Sequence, residues 1–328
     1  MPEIPDRNLG LDLARVTETA AMAAARWQGR GDKESADAAA VDGMRAHLGT
    51  LDLAGTVVIG EGEKDEAPML HNGERVGNGE GQEVDIAVDP VEGTRLVATG
   101  MPGALAVLAV AERGSMFPPG SMVYMEKIAV GPEARGVIDL DAPVEHNLKR
   151  IAKAKESDVN DLTVIILDRP RNQTYIDSVR AAGARIRLIQ DGDVSGAIAT
   201  GRVGTGIDML LGIGGSPEAV LAAAALRCMG GDIQCRLWPR DDRDRAYAAE
   251  HGYDLQRVMD TTDLVGGSNV SFAATGITGG EFLNGVQFHG DGAVTHSVMM
   301  RSKTGSIRYM DAFHNLAKLG SLSSVEYG

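Results

Sequence analysis

The chain contains little cysteine and few aromatic residues. Its 328 residues include 2 cysteines, and phenylalanine, tyrosine and tryptophan together make up 4%. Cys228 and Cys235 are too few for a disulfide framework, and no histidine cluster near them suggests a zinc site. We therefore expect reduced thiols, a cytoplasmic location, and a core built from small and branched aliphatic side chains.

Positive charge is also scarce. The 32 lysines and arginines stand against 46 aspartates and glutamates, which gives a formal net charge of −14. This balance argues against a general binder of nucleic acid or of anionic membranes. No apolar run reaches the ~20 residues that span a bilayer, and the first residues lack the basic and apolar segments of a secretory signal. An anionic substrate would need local neutralisation at its site.

The order of the elements predicts a mixed α/β fold. Helical spacing of apolar residues predicts helices near 11–28, 34–48 and 145–156, and apolar runs predict strands near 56–60, 84–89, 104–111 and 122–129. The polar stretch 155–161 predicts a boundary, with one domain at 1–158 and another at 159–328. Strands and helices then alternate through about 238, as in a parallel doubly wound layer, and Gly290 to Gly292 predict a hairpin.

Residues 89–94, with the sequence DPVEGT, directly follow the apolar run 84–88. Asp89, Glu92 and the hydroxyl of Thr94 therefore lie together at the carboxyl end of a predicted strand, and a helix is predicted to begin after Gly93. Carboxylate oxygens suit hard divalent cations, and the free N–H groups of a helix start suit phosphate. The motif favours a metal-phosphate site; a polar strand-to-helix turn with Asp89 near the cap explains the motif alone equally well.

A second acidic turn follows the predicted strand 56–59. Because adjacent strands of the same direction bring such turns to one edge of a sheet, Glu61 is a candidate metal ligand beside Asp89. The remaining acidic side chains of this turn are more simply explained by a solvated loop; they are Glu63, Asp65 and Glu66.

Asp37 lies on the predicted helix 34–48, for which Asp32 is a plausible N-cap. It borders the apolar face of that helix, among alanines. A carboxylate held there needs a partner or a cation, so Asp37 becomes a third candidate ligand when it is taken together with the two acidic turns.

These motifs resemble the bacterial class II fructose-1,6-bisphosphatases over nearly the whole chain. The resemblance rests on several motifs in the same order: residues 31–33, 36–37, 58–63 and 85–94, and then residues 122–127, 168–171, 191–193 and 212–218. It implies a layered αβαβα sandwich of the kind found in metal-dependent, lithium-sensitive sugar and inositol phosphatases. The turn shared by that wider group usually has a second aspartate where this chain has Glu92, which favours class II over inositol monophosphatase.

The resemblance also implies an activity and its ligands. It implies hydrolysis of the 1-phosphate of fructose 1,6-bisphosphate to fructose 6-phosphate, a gluconeogenic step, with Mg²⁺ or Mn²⁺ as cofactor. Asp37 and Glu61 would bind one cation, Asp89, Glu92 and Glu218 a second, and Thr94 would supply the catalytic hydroxyl. Two cations can clamp the attacking and leaving oxygens of a phosphoryl displacement. A homo-oligomer, either tetramer or dimer, is implied as well.

The substrate-binding residues come from both halves of the chain. The resemblance implies Glu92, Gly93, Thr94, Tyr124, Arg169, Pro170, Arg171, Asp191, Gly192, Asp193 and Gly215. Guanidinium groups match phosphate oxygens bidentately, which suits the two arginines to the second phosphate. Taken singly, the arginines could be surface residues, Asp191 or Asp193 could cap the predicted helix 194–199, and Tyr124 could be a half-buried strand tyrosine. Glu218 could be an ordinary helix-start residue.

Other functions are open or excluded to different degrees. Residues 212–217 suggest a dinucleotide-binding motif, but Pro217 stands where that motif requires its last glycine, so the match fails. A metal- or phosphate-binding protein without activity would fit the acidic turns. Sedoheptulose-1,7-bisphosphatase and inositol monophosphatase are the enzymatic alternatives. Lys33 and Arg95 could contact phosphate or balance the acidic charge, and they are not assigned to the site.

Overall fold

The computed structural model describes residues 9–62 and 69–322. Glu63, Asp65 and Glu66, for which a solvated loop is predicted, lie outside these ranges. The described residues contain ten α-helices: α1 Gly10–Ala25, α2 Lys33–Leu48, α3 Thr94–Thr99, α4 Val144–Ala154, α5 Gln173–Ala181, α6 Asp193–Gly201, α7 Ser216–Met229, α8 Asp242–His251, α9 Thr261–Leu264 and α10 Leu316–Leu322. None of these helices is long and apolar enough to cross a membrane.

The same residues contain thirteen strands. They are β1 Leu53–Ile59, β2 Arg75–Val76, β3 Gln82–Glu92, β4 Leu105–Glu112, β5 Tyr124–Val130, β6 Thr163–Leu167, β7 Arg185–Ile189, β8 Met209–Gly215, β9 Asp232–Leu237, β10 Ser271–Gly276, β11 Gln287–His289, β12 Gly292–Arg301 and β13 Ser306–Asn315. Eight form a first sheet in the order β11-β12-β10-β4-β3-β1-β2, with β13 paired to β12. The other five form a second sheet in the order β7-β6-β8-β5-β9.

Five layers stack in the order helix, sheet, helix, sheet, helix. Helices α1 and α2 pack on one face of the first sheet. Helices α6 and α7 lie between the two sheets, where alanine and branched aliphatic side chains allow close packing. Helices α4 and α5 cover the outer face of the second sheet. The prediction of a mixed αβαβα sandwich is confirmed.

Most predicted elements are found close to their predicted bounds. The hairpin is confirmed, because β11 and β12 pair antiparallel around Gly290 and Asp291. The prediction of a parallel doubly wound second layer is wrong in part. Strand β6 is parallel to β7 and β8, whereas β5 runs antiparallel to both β8 and β9. Strand β5 comes from the first half of the chain and enters this sheet between two strands of the second half.

The predicted domain boundary at residue 158 stays a prediction. Each sheet draws strands from both sides of it, since β10 to β13 complete the first sheet and β5 belongs to the second.

A buried glutamate lies between α1 and the first sheet. Glu18 is 4% exposed, and Ser297 Oγ donates to its Oε1 at 3.4 Å. Burial raises the pKa of Glu18 from 4.5 to about 7, against smaller opposing effects of Ser297, Thr295 and Arg15. The folded state therefore binds this proton more tightly than the unfolded state does.

This raised pKa predicts a pH-dependent stability. The stabilising effect of the proton is complete below pH 4.5 and is lost as pH rises through about 7. Relative to the Glu18→Gln variant, the wild type should lose up to about 3 kcal/mol of unfolding free energy across that window. Urea unfolding at several pH values measures the difference. Glu83→Gln, which changes an exposed strand residue, should show no such trend, and equal pH profiles for wild type and Glu18→Gln would contradict the assignment.

Candidate active site

Two parallel strands bring the acidic turns together. Strands β1 and β3 are neighbours and pair in parallel, from Leu53 opposite Gln82 to Ile59 opposite Ala87. Glu61 follows the end of β1, and Asp89 lies near the end of β3. The prediction that parallel strands place these turns at one sheet edge is confirmed.

Asp37 reaches the same edge from helix α2. Asp32 caps this helix, as predicted, since its Oδ1 accepts from Ser35 N at 3.0 Å. The side chains of Asp37 and Glu61 lie close enough for each to shift the pKa of the other. Burial, followed by the charge of Asp37, raises the pKa of Glu61 to about 8. Burial also raises the pKa of Asp37, with a further contribution from Glu34.

Asp89 lies at the electrostatic centre of the cluster. Burial raises its pKa well above the usual value, and four carboxylates raise it further: Glu61, Glu218, Glu92 and Asp37. Its Oδ1 accepts a hydrogen bond from Val91 N at 3.1 Å, which orients the carboxyl group within the turn. The charges of the other four predicted metal ligands therefore all reach Asp89.

Glu92 is 2% exposed and is only partly satisfied. Its Oε1 accepts from Val194 N at 3.1 Å, while its buried Oε2 finds no hydrogen-bond partner in the part of the chain that the structure describes. Burial and the charge of Asp193 raise the pKa of Glu92 well above its usual value. An unpartnered buried carboxylate oxygen is costly, because it has lost water without gaining a donor.

Thr94 begins helix α3 beside these carboxylates. Gly93 precedes it with φ +96°, a left-handed conformation that glycine adopts without strain. Thr94 Oγ1 donates to Val91 O at 3.2 Å, which holds the hydroxyl at the turn. The alternative role of Asp89 as a helix cap is not found, since no side chain caps α3.

Glu218 enters from helix α7, between the sheets. It lies in the first turn, after Pro217, as the helix-start pattern predicts. A Cβ atom on Gly215 would lie 1.9 Å from Glu218 Oε2, so a larger residue at position 215 would displace the Glu218 carboxyl group. Glu218 Oε2 is a second buried carboxylate oxygen that has no hydrogen-bond partner among the described residues, and the same holds for the buried Ser216 Oγ. Burial, followed by Asp193, raises the pKa of Glu218.

These residues fit a divalent cation in their chemistry. The cluster offers hard carboxylate oxygens, two of which are buried without a donor, and each charge disfavours the others. A cation would satisfy the free oxygens and reverse the repulsion. Among residues 9–62 and 69–322, no group of three or more histidine, cysteine, aspartate and glutamate side chains is arranged to hold a metal ion. The carboxylates therefore fit a cation by the chemistry of their oxygens, and not by a preformed coordination geometry.

A cavity of about 330 Å³ opens next to the acidic cluster. Most of the predicted substrate residues line it: Glu92, Gly93, Tyr124, Arg169, Arg171, Asp191, Gly192, Asp193 and Gly215, together with Glu218. Thr94 adjoins Gly93 in sequence, and Pro170 lies between the two arginines in a short 3-10 helix, Pro170–Asn172. Residues from five separate segments of the chain therefore share one cavity.

The two arginines are held in place by backbone carbonyl oxygens and, for Arg169, by a carboxylate. Arg169 donates to Gln190 O and, at 3.1 Å, to Asp191 Oδ1. Arg171 Nε donates to Ile213 O at 3.1 Å, and its guanidinium lies 4.2 Å from the centre of the Tyr124 ring. Each guanidinium has five N–H donors, so donors remain for a ligand. Tyr124 is half-buried on a strand, as its alternative explanation predicts, and it also faces the cavity.

Lys127 is a site residue that the sequence analysis did not single out. It is 2% exposed on β5, and its Nζ donates to Asp193 Oδ2 at 2.6 Å. Burial lowers its pKa, but Asp193 and Glu218 outweigh that effect and the pKa is raised. A lysine at an inward-facing strand position is a usable signal, because it requires a carboxylate partner.

Neither aspartate of residues 191–193 caps helix α6, since its N-cap is Gly192 and no side chain accepts a capping bond.

Arg95, set aside in the sequence analysis, acts on the cavity carboxylate Asp191 and lowers its pKa against the larger raising effect of burial. Lys33 likewise lowers the pKa of Asp37, against the larger raising effect of burial. Both basic residues therefore adjoin the acidic site.

Comparisons with known proteins agree on one family. The model of the family described as bacterial fructose-1,6-bisphosphatase, glpX-encoded, matches residues 7–314. The chain is 44% identical to the protein named D-fructose 1,6-bisphosphatase class 2/sedoheptulose 1,7-bisphosphatase from Synechococcus sp. (strain JA-3-3Ab). It is also 44% identical to fructose-1,6-bisphosphatase 1 class 2 from Escherichia coli (strain K12). Each alignment covers 94% of this chain and 96% of the relative.

Proposed function

Since this chain belongs to the bacterial, glpX-encoded fructose-1,6-bisphosphatase family, we propose that it hydrolyses the 1-phosphate of fructose 1,6-bisphosphate. The products are fructose 6-phosphate and phosphate, and the enzyme is a phosphoric monoester hydrolase. One structural observation supports this proposal independently of family membership. A centre of buried, mutually repelling carboxylates adjoins a cavity that two arginines line.

Divalent cations, Mg²⁺ or Mn²⁺, are the proposed cofactors. Asp37 and Glu61 would hold one cation, and Asp89, Glu92 and Glu218 a second. Bound there, such cations supply charge neutralisation and a water of lowered pKa. The two unpartnered carboxylate oxygens, Glu92 Oε2 and Glu218 Oε2, support this assignment.

The chain's own groups have distinct roles in this proposal. Thr94 would orient the attacking water or relay a proton from it, and its bond to Val91 O, which holds the hydroxyl at the turn, supports this role. Asp191 and Asp193 provide acceptors for sugar hydroxyls, and Tyr124 provides an aromatic wall. Arg169 and Arg171 bind the phosphate that is not cleaved. Phosphoryl transfer depends mainly on positioning and charge neutralisation, which these groups provide without a histidine nucleophile.

Phosphate release from fructose 1,6-bisphosphate, measured with Mg²⁺, with Mn²⁺ and with chelator, tests the proposed function. We expect turnover that needs the metal. Metal binding without turnover would instead support a non-catalytic protein. Assays on sedoheptulose 1,7-bisphosphate and inositol monophosphate give the substrate preference, and a strong preference for inositol monophosphate would contradict the role given to Arg169 and Arg171.

Replacing Arg169 by alanine should raise KM for fructose 1,6-bisphosphate by about 10- to 100-fold, because a charge-assisted hydrogen bond contributes about 1.5–3 kcal/mol. Initial rates at saturating metal measure the change. Fructose 1-phosphate is the matched control substrate: it lacks the second phosphate, so its KM should change little. Equal effects on both substrates would show that Arg169 acts only by holding Asp191.

We also propose a cytoplasmic location and a homo-oligomeric state, as a dimer or tetramer. The two cysteines, which are buried free thiols, support the first.

A further inference from the structure

Strand β13 forms an edge of the first sheet as far as the described strands go. It pairs with β12 through ten consecutive positions, from Gly292 opposite Asn315 to Arg301 opposite Ser306, without a register shift. No other described strand pairs with it. A long regular edge presents unpaired N–H and C=O groups that can accept another strand. Its sequence contains no proline and no lysine, the residues with which proteins commonly protect such edges.

One face of β13 is apolar and exposed. Ile307, Tyr309 and Phe313 are 40%, 45% and 80% exposed, respectively. Their alternate spacing places them on the same face of the strand, with the exposed Asp311 between the last two. We call these four residues the β13 stripe. Two of its members rank among the largest apolar side chains that the described part of the chain leaves to solvent.

The exposed surface continues onto the loop after α6. The guanidinium of Arg202 lies 5.4 Å from the centre of the Tyr309 ring and 5.5 Å from that of Phe282. Val203, next in sequence, is 96% exposed. The stripe is therefore bordered by a cation and by further apolar surface.

The stripe is complementary to a second copy of itself. A two-fold axis perpendicular to the sheet leaves each side chain on the same face of the joined sheet. Because side chains alternate between the two faces along a strand, two residues that lie opposite each other must both have odd residue numbers or both have even ones. With Met310 opposite Met310 of the second copy, Ile307 faces Phe313 and Tyr309 faces Asp311, each twice. Directly opposed residues have Cβ atoms about 4.5–5.5 Å apart.

Charge agrees with this register. Asp311 is the only charged member of the stripe, and in this register it lies opposite the Tyr309 hydroxyl of the second copy. Arg202 lies against that same tyrosine ring, so the carboxylate of one copy approaches the guanidinium of the other. Two apolar pairs and two such polar groupings result from one axis.

We propose that β13 is a two-fold interface between two copies of this chain, paired antiparallel about Met310, which joins their first sheets into one continuous sheet. The interface requires no substrate or metal, so its tests are independent of the proposed hydrolysis.

The first test is the mass in solution. Sedimentation equilibrium of the full chain, without substrate, should give a dimer or a multiple of it, and the double variant Ile307→Lys/Phe313→Lys should halve that mass. Both substituted side chains are exposed, and circular dichroism confirms folding. The matched control is Leu188→Lys, which changes an apolar residue that is 41% exposed on β7, the edge strand of the second sheet. A monomeric wild type, or a double variant of unchanged mass, would overturn the proposal.

The second test fixes the register. Residues opposite each other on antiparallel strands have Cα atoms about 4.5–5.5 Å apart, within the range of a disulfide. Mild oxidation of the Met310→Cys variant should therefore give a dimer band on a non-reducing gel. In the proposed register, Ile307 lies six positions from its own copy, about 20 Å away, so Ile307→Cys should stay monomeric on the gel. The native thiols, Cys228 and Cys235, are buried. A dimer band for Ile307→Cys and none for Met310→Cys would overturn the proposed register.

Discussion

Asp89→Asn is expected to abolish turnover while leaving the protein at least as stable as the wild type. Asp89 is the carboxylate whose pKa four other carboxylates raise. Its charge is therefore central to metal binding, and it destabilises the folded protein when no metal is bound. Loss of this electrostatic contribution should lower kcat by about 10³-fold or more. Removing one of several repelling buried charges should raise the melting temperature in chelator, which distinguishes a catalytic loss from misfolding.

Metal titration and a matched variant complete this experiment. Mg²⁺ or Mn²⁺ should raise the melting temperature of the wild type by binding to the folded state, and should raise that of Asp89→Asn much less. Asp85→Asn changes a buried aspartate on the same strand that accepts from Arg113, Ser115 and Met116. That variant should lose stability rather than gain it. Full activity of Asp89→Asn would remove this residue from the site.

Thr94→Ala is expected to lower kcat by about 10²- to 10⁴-fold, the range in which a positioned proton-transfer group contributes. KM should change much less, because the hydroxyl is proposed to act chiefly in the transition state. Steady-state kinetics at saturating metal separate the two parameters.

The serine variant is the matched control for Thr94, because Thr94→Ser keeps the hydroxyl that donates to Val91 O and should retain most of the rate. A change confined to KM in Thr94→Ala would show that the residue only binds substrate. Equal losses in the serine and alanine variants would point to the methyl group and not to the hydroxyl.

The local pattern of the sequence predicted most elements near the site. Apolar runs followed by glycine and acidic residues predicted β1 and β3 and the turns after them, because strand ends and turn residues are encoded locally. The short strand β10, which lies between β4 and β12, was not predicted. Its residues, Ser271–Gly276, are mostly small, and small residues give no clear alternation of apolar and polar positions.

Long-range placement was harder to predict. The sequence suggested a parallel second layer, yet β5 enters it antiparallel, because strand direction depends on the path of the connecting chain. At the candidate site, the pairing of Lys127 was likewise not predicted from the sequence. Its pairing with Asp193 joins residues 66 positions apart, and spacing within β5 could not reveal that partner.

The sequence by itself determined the family, the layered α/β class and the identity of the acidic and basic candidates, since each of these depends on residue types in local order. Only the tertiary structure decided that the charges of Asp37, Glu61, Glu92 and Glu218 reach Asp89, that Lys127 is buried beside Asp193, and that no further described strand pairs with β13. The physical reason is that burial, repulsion between charges and the pairing of strands depend on distances through space, which the order of residues along the chain does not specify.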